Sequence, residues 1–211
     1  MEKVIVLGAG GHAKVITDIL LKNEEYDVVG LIDEADKEGF WNIPVLGGDE
    51  MLETIYRDMG ISNAFVALGN GRLREKVTKK AKRAGFRLIN AVSKDAVISP
   101  RASLGEGIAI MPGAVINADV EIGDGCIINT NASIDHESII GDYTHIAPGC
   151  AICGGVSIGK HCLIGVGSRV IDHLQIGDDT LVGAGATVVK SIVGNCTVVG
   201  VPARIIKENT K

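Results

Sequence analysis

The chain has 211 residues, 46% of them hydrophobic, with 28 glycines, a formal net charge of −5 and only three Phe, three Tyr and one Trp. That length holds one large domain or two small ones. The acidic balance, without a basic run, excludes a general nucleic-acid binder, and no stretch approaches the ~18 apolar residues needed to span a bilayer, so a cytoplasmic protein with no membrane partner is expected.

Residues 1–90 alternate between strands and helices. Lys3–Leu7 is a short apolar run ending at Gly8, and His12–Lys22 reads as a helix with Val15, Ile16, Ile19 and Leu20 on one face. Val28–Ile32 is a second strand, Asp49–Met59 a second helix and Ala64–Leu68 a third strand. Arg72–Ala84 is a charged helix, and Arg87–Asn90 a last short strand. Strand–helix alternation predicts a parallel sheet with helices on its faces, a Rossmann-like α/β domain.

From Val92 the period becomes six. Every sixth residue from Val92 to Val188 is Ile, Leu or Val, and after Val188 the spacing is expected to slip by one and resume at Val193, Val199 and Ile205. Gly105, Gly123, Gly141, Gly159 and Gly177 add a period of eighteen, so three hexapeptides make one coil of a solenoid. A tight corner that demands positive φ would explain glycine there. The residue two before each aliphatic is often small, as at Ala114, Cys126, Ala132, Ser138, Cys150, Cys162 and Ser168, and both positions are expected to point inward. Coils should stack about 4.8 Å apart as parallel strands. The domains expected are 1–90 and 91–211. Five cysteines, an odd number, disfavour a disulfide framework, and Cys150-x-x-Cys153 falls within the repeat as packing.

Two constellations carry chemistry. Gly8-Ala-Gly10-Gly11-His12-Ala13 follows a strand and opens a helix, a near match to the dinucleotide fingerprint, with Asp33 about twenty residues on, where an acid binds ribose hydroxyls. Taken alone it points to NAD, but no catalytic domain for hydride transfer is visible. In the repeat, His136 falls at a corner and faces outward, as a general base or as a solvated turn residue.

The six-residue repeat resembles the hexapeptide-repeat acyltransferases, whose prisms are left-handed parallel β-helices and typically trimeric. The Gly-Ala-Gly-Gly-His-Ala-Lys turn, the Asp135-His-Glu-Ser-Ile-Ile-Gly-Asp-Tyr-Thr-His145 block and the terminal Val199-Gly-Val-Pro-Ala-Arg204 are similar to one subfamily. It comprises the UDP-4-amino-sugar N-acetyltransferases and the related sialic acid O-acetyltransferases. The resemblance implies direct acetyl transfer from acetyl-CoA to the amine of a UDP-linked 4-amino sugar, or to a sialic acid hydroxyl. It implies a homotrimer, acetyl-CoA as co-substrate, and neither a tightly bound cofactor nor a metal. It makes His136 the base, Glu137 its tuning acid and Asn129 a neighbour in the site. His145, Gly154, Val166 and Ala184 would contact acetyl-CoA, and Gly10, Gly11, His12, Asp33, Glu34 and Gly69 the acceptor nucleotide. A γ-type carbonic anhydrase shares the prism, but its metal-binding H-x4-H spacing is missing.

Overall fold

The computed structural model describes residues 1–33 and 38–208. They fall into two compact units, Met1–Lys94 and Asp95–Lys211. Among the described residues no helix is long and apolar enough to cross a membrane.

In the first unit, β1 (Glu2–Leu7), β2 (Tyr26–Ile32), β3 (Asn63–Val66) and β4 (Arg87–Leu88) form a parallel sheet in the order β2-β1-β3-β4. The helix α1 (Gly11–Lys22) connects β1 to β2, and α3 (Gly71–Arg83) connects β3 to β4. The expected helix over 49–59 is a 3-10 turn, Asp49–Met51, followed by α2 (Leu52–Asp58). Ile5, Leu7, Ile32, Ile55, Val66 and Phe86 share one buried cluster. On α1 the buried face is Ala13, Ile16, Thr17, Ile19 and Leu20, while Val15 is 43% exposed. Val15 precedes Ile16 by one helical step of about 100°, which carries it off the stripe.

The second unit is a left-handed parallel β-helix of about six coils. Its first face carries Val97–Ile98, Val115–Ile116, Ser133–Ile134, Ala151–Ile152, Arg169–Val170 and Thr187–Val188. The second carries Ser103–Leu104, Glu121–Ile122, Ile139–Ile140, Ser157–Ile158 and Gln175–Ile176. The third runs through Ala109–Ile110, Ile127–Ile128, His145–Ile146, Leu163–Ile164 and Leu181–Val182 to Cys196–Val199. Coils pair in register eighteen residues apart, as in Ile122↔Ile140 and Ile128↔Ile146. The six-residue aliphatic column is buried from Ile110 to Val188, none of it more than 3% exposed.

The small inner residues do more than save space. Ser138 Oγ donates to Cys153 O (3.0 Å), Thr144 Oγ1 to Gly159 O (2.7 Å) and Ser168 Oγ to Gly183 O (2.9 Å). The Cys126 and Cys150 thiols likewise donate to Gly141 O and Gly165 O, at 3.1 and 3.0 Å. Each bond gives a buried hydroxyl or thiol the partner that the prism interior would otherwise deny it. Burial pushes the Cys162 thiol up to about 11. Cys153, outside the inner columns, is exposed.

Two expectations change. The eighteen-residue glycines do not sit in the left-handed region. A Cβ on Gly123 would lie 2.8 Å from Asp142 N, and one on Gly177 2.1 Å from Val193 O. They are glycine because the next coil passes too close for any side chain. Positive φ recurs instead every sixth residue, from Gly107 and Gly113 through Asp119, Gly125, Asn131 and Glu137 to Gly185, and half of these positions are not glycine. The slip after Val188 is also two residues in length, since Ile192 bridges Ile176 and Val198 pairs with Val182. Val193 is therefore 94% exposed. Adjacent aliphatics at 192–193 and 198–199 made both registers readable, and a one-residue difference exchanges the inner and outer faces.

Candidate active site

The turns that join the faces stack into three corner columns. Between the first and second faces run Ala118-Asp119, His136-Glu137, Gly154-Gly155 and Asp172-His173. His136 and Glu137 occupy a two-residue turn in which Glu137 takes φ +57°. This backbone brings the two side chains together: His136 Nδ1 lies 3.1 Å from Glu137 Oε2. A carboxylate accepts, so Nδ1 carries the proton and the Nε2 lone pair is left for an incoming donor. Both side chains are more than half exposed, so the pair orients the ring and adds little stability.

The adjoining backbone and the next coil complete this corner. His136 N donates to Asp135 Oδ1 (2.8 Å), which also accepts from Asn117 Nδ2 (2.9 Å). The His136 amide, and then Asn117, hold the Asp135 carboxyl below the usual carboxylate range. Beneath the ring is Gly154, one coil on. A Cβ there would lie 2.5 Å from His136 Cε1 and 2.6 Å from Nε2. The imidazole thus occupies the space that any other side chain at 154 would fill. Asp135 and Asn117 carried no sequence signal beyond the eighteen-residue step that stacks them.

Asn129, His145, Val166 and Ala184 lie elsewhere on the prism. Asn129 follows the third-face strand Ile127–Ile128, and its Nδ2 donates to His145 Nε2 (3.0 Å), which assigns the His145 proton to Nδ1. Val166 and Ala184 stack eighteen residues apart in the corner between the third and first faces, and Val166 is 52% exposed. Within one chain these residues and the His136–Glu137 pair sit at opposite ends of the first face. Among the described residues no group of three His, Cys, Asp or Glu could hold a metal.

In the first unit, Gly8 turns the chain with φ +113° and donates to Ile32 O (2.6 Å). Gly10 caps α1 without a side-chain bond, and among the described residues a Cβ on Gly10 or Gly11 would meet nothing within 4 Å, so none of them covers the helix N-terminus there. Such an end offers free amides and the positive pole of the helix dipole to an anion. Asp33 Oδ2 accepts from Ala9 N (3.0 Å), which fixes the acid against the turn. A cavity of about 160 Å³ is lined by Gly8, Asp33, Asp49, Leu68 and Leu73 among others. Glu34 lies outside the described residues.

Arg74 is a further residue that sequence reasoning missed. It is 1% exposed, and its Nη1 donates to Leu68 O (2.7 Å) and Gly69 O (2.9 Å), clamping the loop that carries Gly69. Asn70 caps α3 by accepting from Leu73 N (3.0 Å). Burial, and then the Arg74 charge, lower the His12 pKa to about 4, so His12 is neutral at pH 7. A signal existed: Arg74, Val77, Thr78 and Ala81 share the buried face of α3 at helical spacing.

A family model described as the PglD N-terminal domain matches residues 3–81, and one described as bacterial transferase hexapeptide (six repeats) matches residues 101–136. The chain is similar to perosamine N-acetyltransferase from Caulobacter crescentus, solved as a histidine variant with CoA and GDP-perosamine. Identity is 43% over 99% of this chain and 98% of that one, with a TM-score of 0.95. It is also similar to the acetyltransferase domain of PglB from Neisseria gonorrhoeae, solved with acetyl coenzyme A. That match has 33% identity over 97% and 99% of the two chains and a TM-score of 0.92. A curated relative, an uncharacterized protein of Acanthamoeba polyphaga mimivirus, is 35% identical over 104 residues, 49% of this chain. The chain spans about a fifth of that relative's length, 20%.

Proposed function

The chain belongs to the hexapeptide-repeat sugar N-acetyltransferases with a PglD-type N-terminal domain, and from that premise we propose that it moves acetyl from acetyl-CoA to the amine of a nucleotide-linked amino sugar. The observation that carries the chemistry is the His136–Glu137 pair over Gly154. The open α1 N-terminus beside Asp33 suits a diphosphate and its ribose. The resemblance read from the sequence implies a UDP-linked 4-amino sugar, and the Caulobacter relative is solved with GDP-perosamine. A diphosphate and a sugar amine are common to both, and the proposal is made at that class. Sialic acid, the other implied acceptor, brings the turn no diphosphate.

In the proposed reaction the neutral acceptor amine attacks the thioester carbonyl and a C–N bond forms. His136 Nε2 takes the proton that the nitrogen sheds, while Nδ1–H stays on Glu137. Backbone N–H groups hold the oxyanion. The adduct collapses, the C–S bond breaks, and the sulfur leaves with its electron pair and recovers the proton from His136. His145, Val166 and Ala184 are proposed for acetyl-CoA, with Asn129 nearby, and Gly154, which the resemblance also assigns to acetyl-CoA, is proposed instead as the floor under the His136 ring; Gly10, Gly11, His12, Asp33 and Gly69 are proposed for the nucleotide. Convex corners on one prism have no second wall, so we propose a homotrimer in which a neighbour supplies it.

Steady-state kinetics of His136→Ala test the mechanism. Losing a general base costs about 10²–10⁴-fold. kcat should fall by that range with the acetyl-CoA KM nearly unchanged, and Glu137→Ala should cost less. The defect should shrink as pH rises, since less of the acceptor amine is protonated. A His136→Ala enzyme with near-wild-type kcat at every pH would make the histidine a turn residue only.

A further inference from the structure

After β2 the chain forms a tight hairpin. Phe40 and Ile43 make an antiparallel bridge, Ile43 N donates to Phe40 O (2.9 Å), and Trp41 and Asn42 form the turn at φ +52° and +64°. Both turn residues have positive φ, as in a type I′ turn, which suits Asn and Gly; a bulky side chain there is strained. The two arms run close together, since a Cβ on Gly39 would lie 1.9 Å from Ile43 O. Trp41 is the only tryptophan of the chain, and it is 55% exposed. Neither burial nor turn preference accounts for an indole at this tip.

Its surroundings do. Phe40 stands edge-on to it, with centroids 5.2 Å apart and planes at 80°. Lys14 Nζ lies 5.7 Å from the Phe40 centroid, and Lys14 N bonds Gly10 O (3.3 Å) in the first turn of α1. The other arm of the hairpin is tied to β2, since Leu31 N donates to Pro44 O (2.9 Å) and Asp33 N to Gly47 O (3.1 Å). The hairpin that carries the indole is thus anchored to α1 through Phe40 and Lys14 and to the end of β2 through its other arm. A diphosphate on the Gly10–His12 amides with its ribose at Asp33 sends the base outward past β2, toward this hairpin.

We propose that Trp41 is the stacking platform for the nucleobase of the acceptor, a nucleotide-binding residue backed by Phe40, with Lys14 adding a cation near the phosphates. The inference rests on the nucleotide-sugar reading above. Aromatic stacking accepts any base, because every base has a π-face.

The single tryptophan makes the test direct. The full chain is titrated with GDP and with UDP, following tryptophan emission and calorimetric heat in parallel. Saturable quenching with the calorimetric Kd is expected. Trp41→Ala should weaken nucleotide binding by roughly 5- to 150-fold, Trp41→Phe should keep most of the affinity, and the KM for acetyl-CoA should stay unchanged. Trp41→Gly separates fold from ligand: it relieves the positive φ, so Tm should not fall, yet affinity should. Calorimetric binding with undisturbed emission, or with full affinity in Trp41→Ala, overturns this proposal alone. No heat from either nucleotide overturns both it and the nucleotide-sugar reading.

Discussion

Gly154→Ala adds one methyl group and should act on the base alone. The new Cβ would sit 2.5 Å from His136 Cε1 and 2.6 Å from Nε2, against roughly 3.5–4.0 Å at the carbon–carbon optimum. The ring must retreat by about 1 Å, which disturbs its 3.1 Å contact with Glu137. Misplacement on that scale costs on the order of 10²-fold in rate. The backbone has no reason to object, because Gly154, unlike Gly155 at φ +65°, lies outside the left-handed region. The ring is more than half exposed, so the methyl displaces it toward solvent without opening the prism. The expected result is a kcat lower by about 10- to 100-fold, an unchanged acetyl-CoA KM and a Tm within a degree or two of wild type. Initial rates with each substrate varied, together with a melting curve, measure all three. A loss confined to the acetyl-CoA KM would make Gly154 a wall of the pantetheine path and refute the steric argument. Unchanged kinetics would show that the ring position is immaterial.

Acid should destabilise the first unit through His12. Its pKa in the folded chain is lowered to about 4 from 6.5, so between those values the unfolded chain binds a proton that the folded one resists. The stability is complete above pH 6.5, declines as pH falls through the window and is lost below about 4, at most roughly 3 kcal/mol. Urea midpoints at pH 7 and 4.5, followed by Trp41 emission, should fall less in His12→Asn than in wild type; equal losses would clear His12 of the effect. The trimer should appear by light scattering at micromolar concentration, and a stable, fully active monomer would contradict the shared site.

The β-helix was legible because its determinant is local. One aliphatic every six residues meets its own kind every eighteen, and coils that bury such columns follow from counting alone. His136 at a corner was legible for the same reason. So, in principle, was Gly154 beneath it, since 136 and 154 are one coil apart. The role of the glycines was not legible: a close approach by the next coil and a positive φ both favour glycine, and only coordinates separate them. The slip at 192–193 was misjudged because two adjacent aliphatics are equivalent in composition and opposite in direction.

By itself the sequence determined the two periodicities, the glycine turn before α1 and the corner histidine, since each depends on spacing along one stretch of chain. The tertiary structure alone decided protonation and placement. His12 is neutral because burial and the Arg74 guanidinium oppose its charge, and Arg74 arrives from a helix some sixty residues away. Asn129 pairs with His145 rather than with nearby His136, because the prism bends between them and sends residues seven apart to different corners. Charge, solvation and corner position depend on what distant segments bring alongside, and the order of residues does not contain that until the chain has folded.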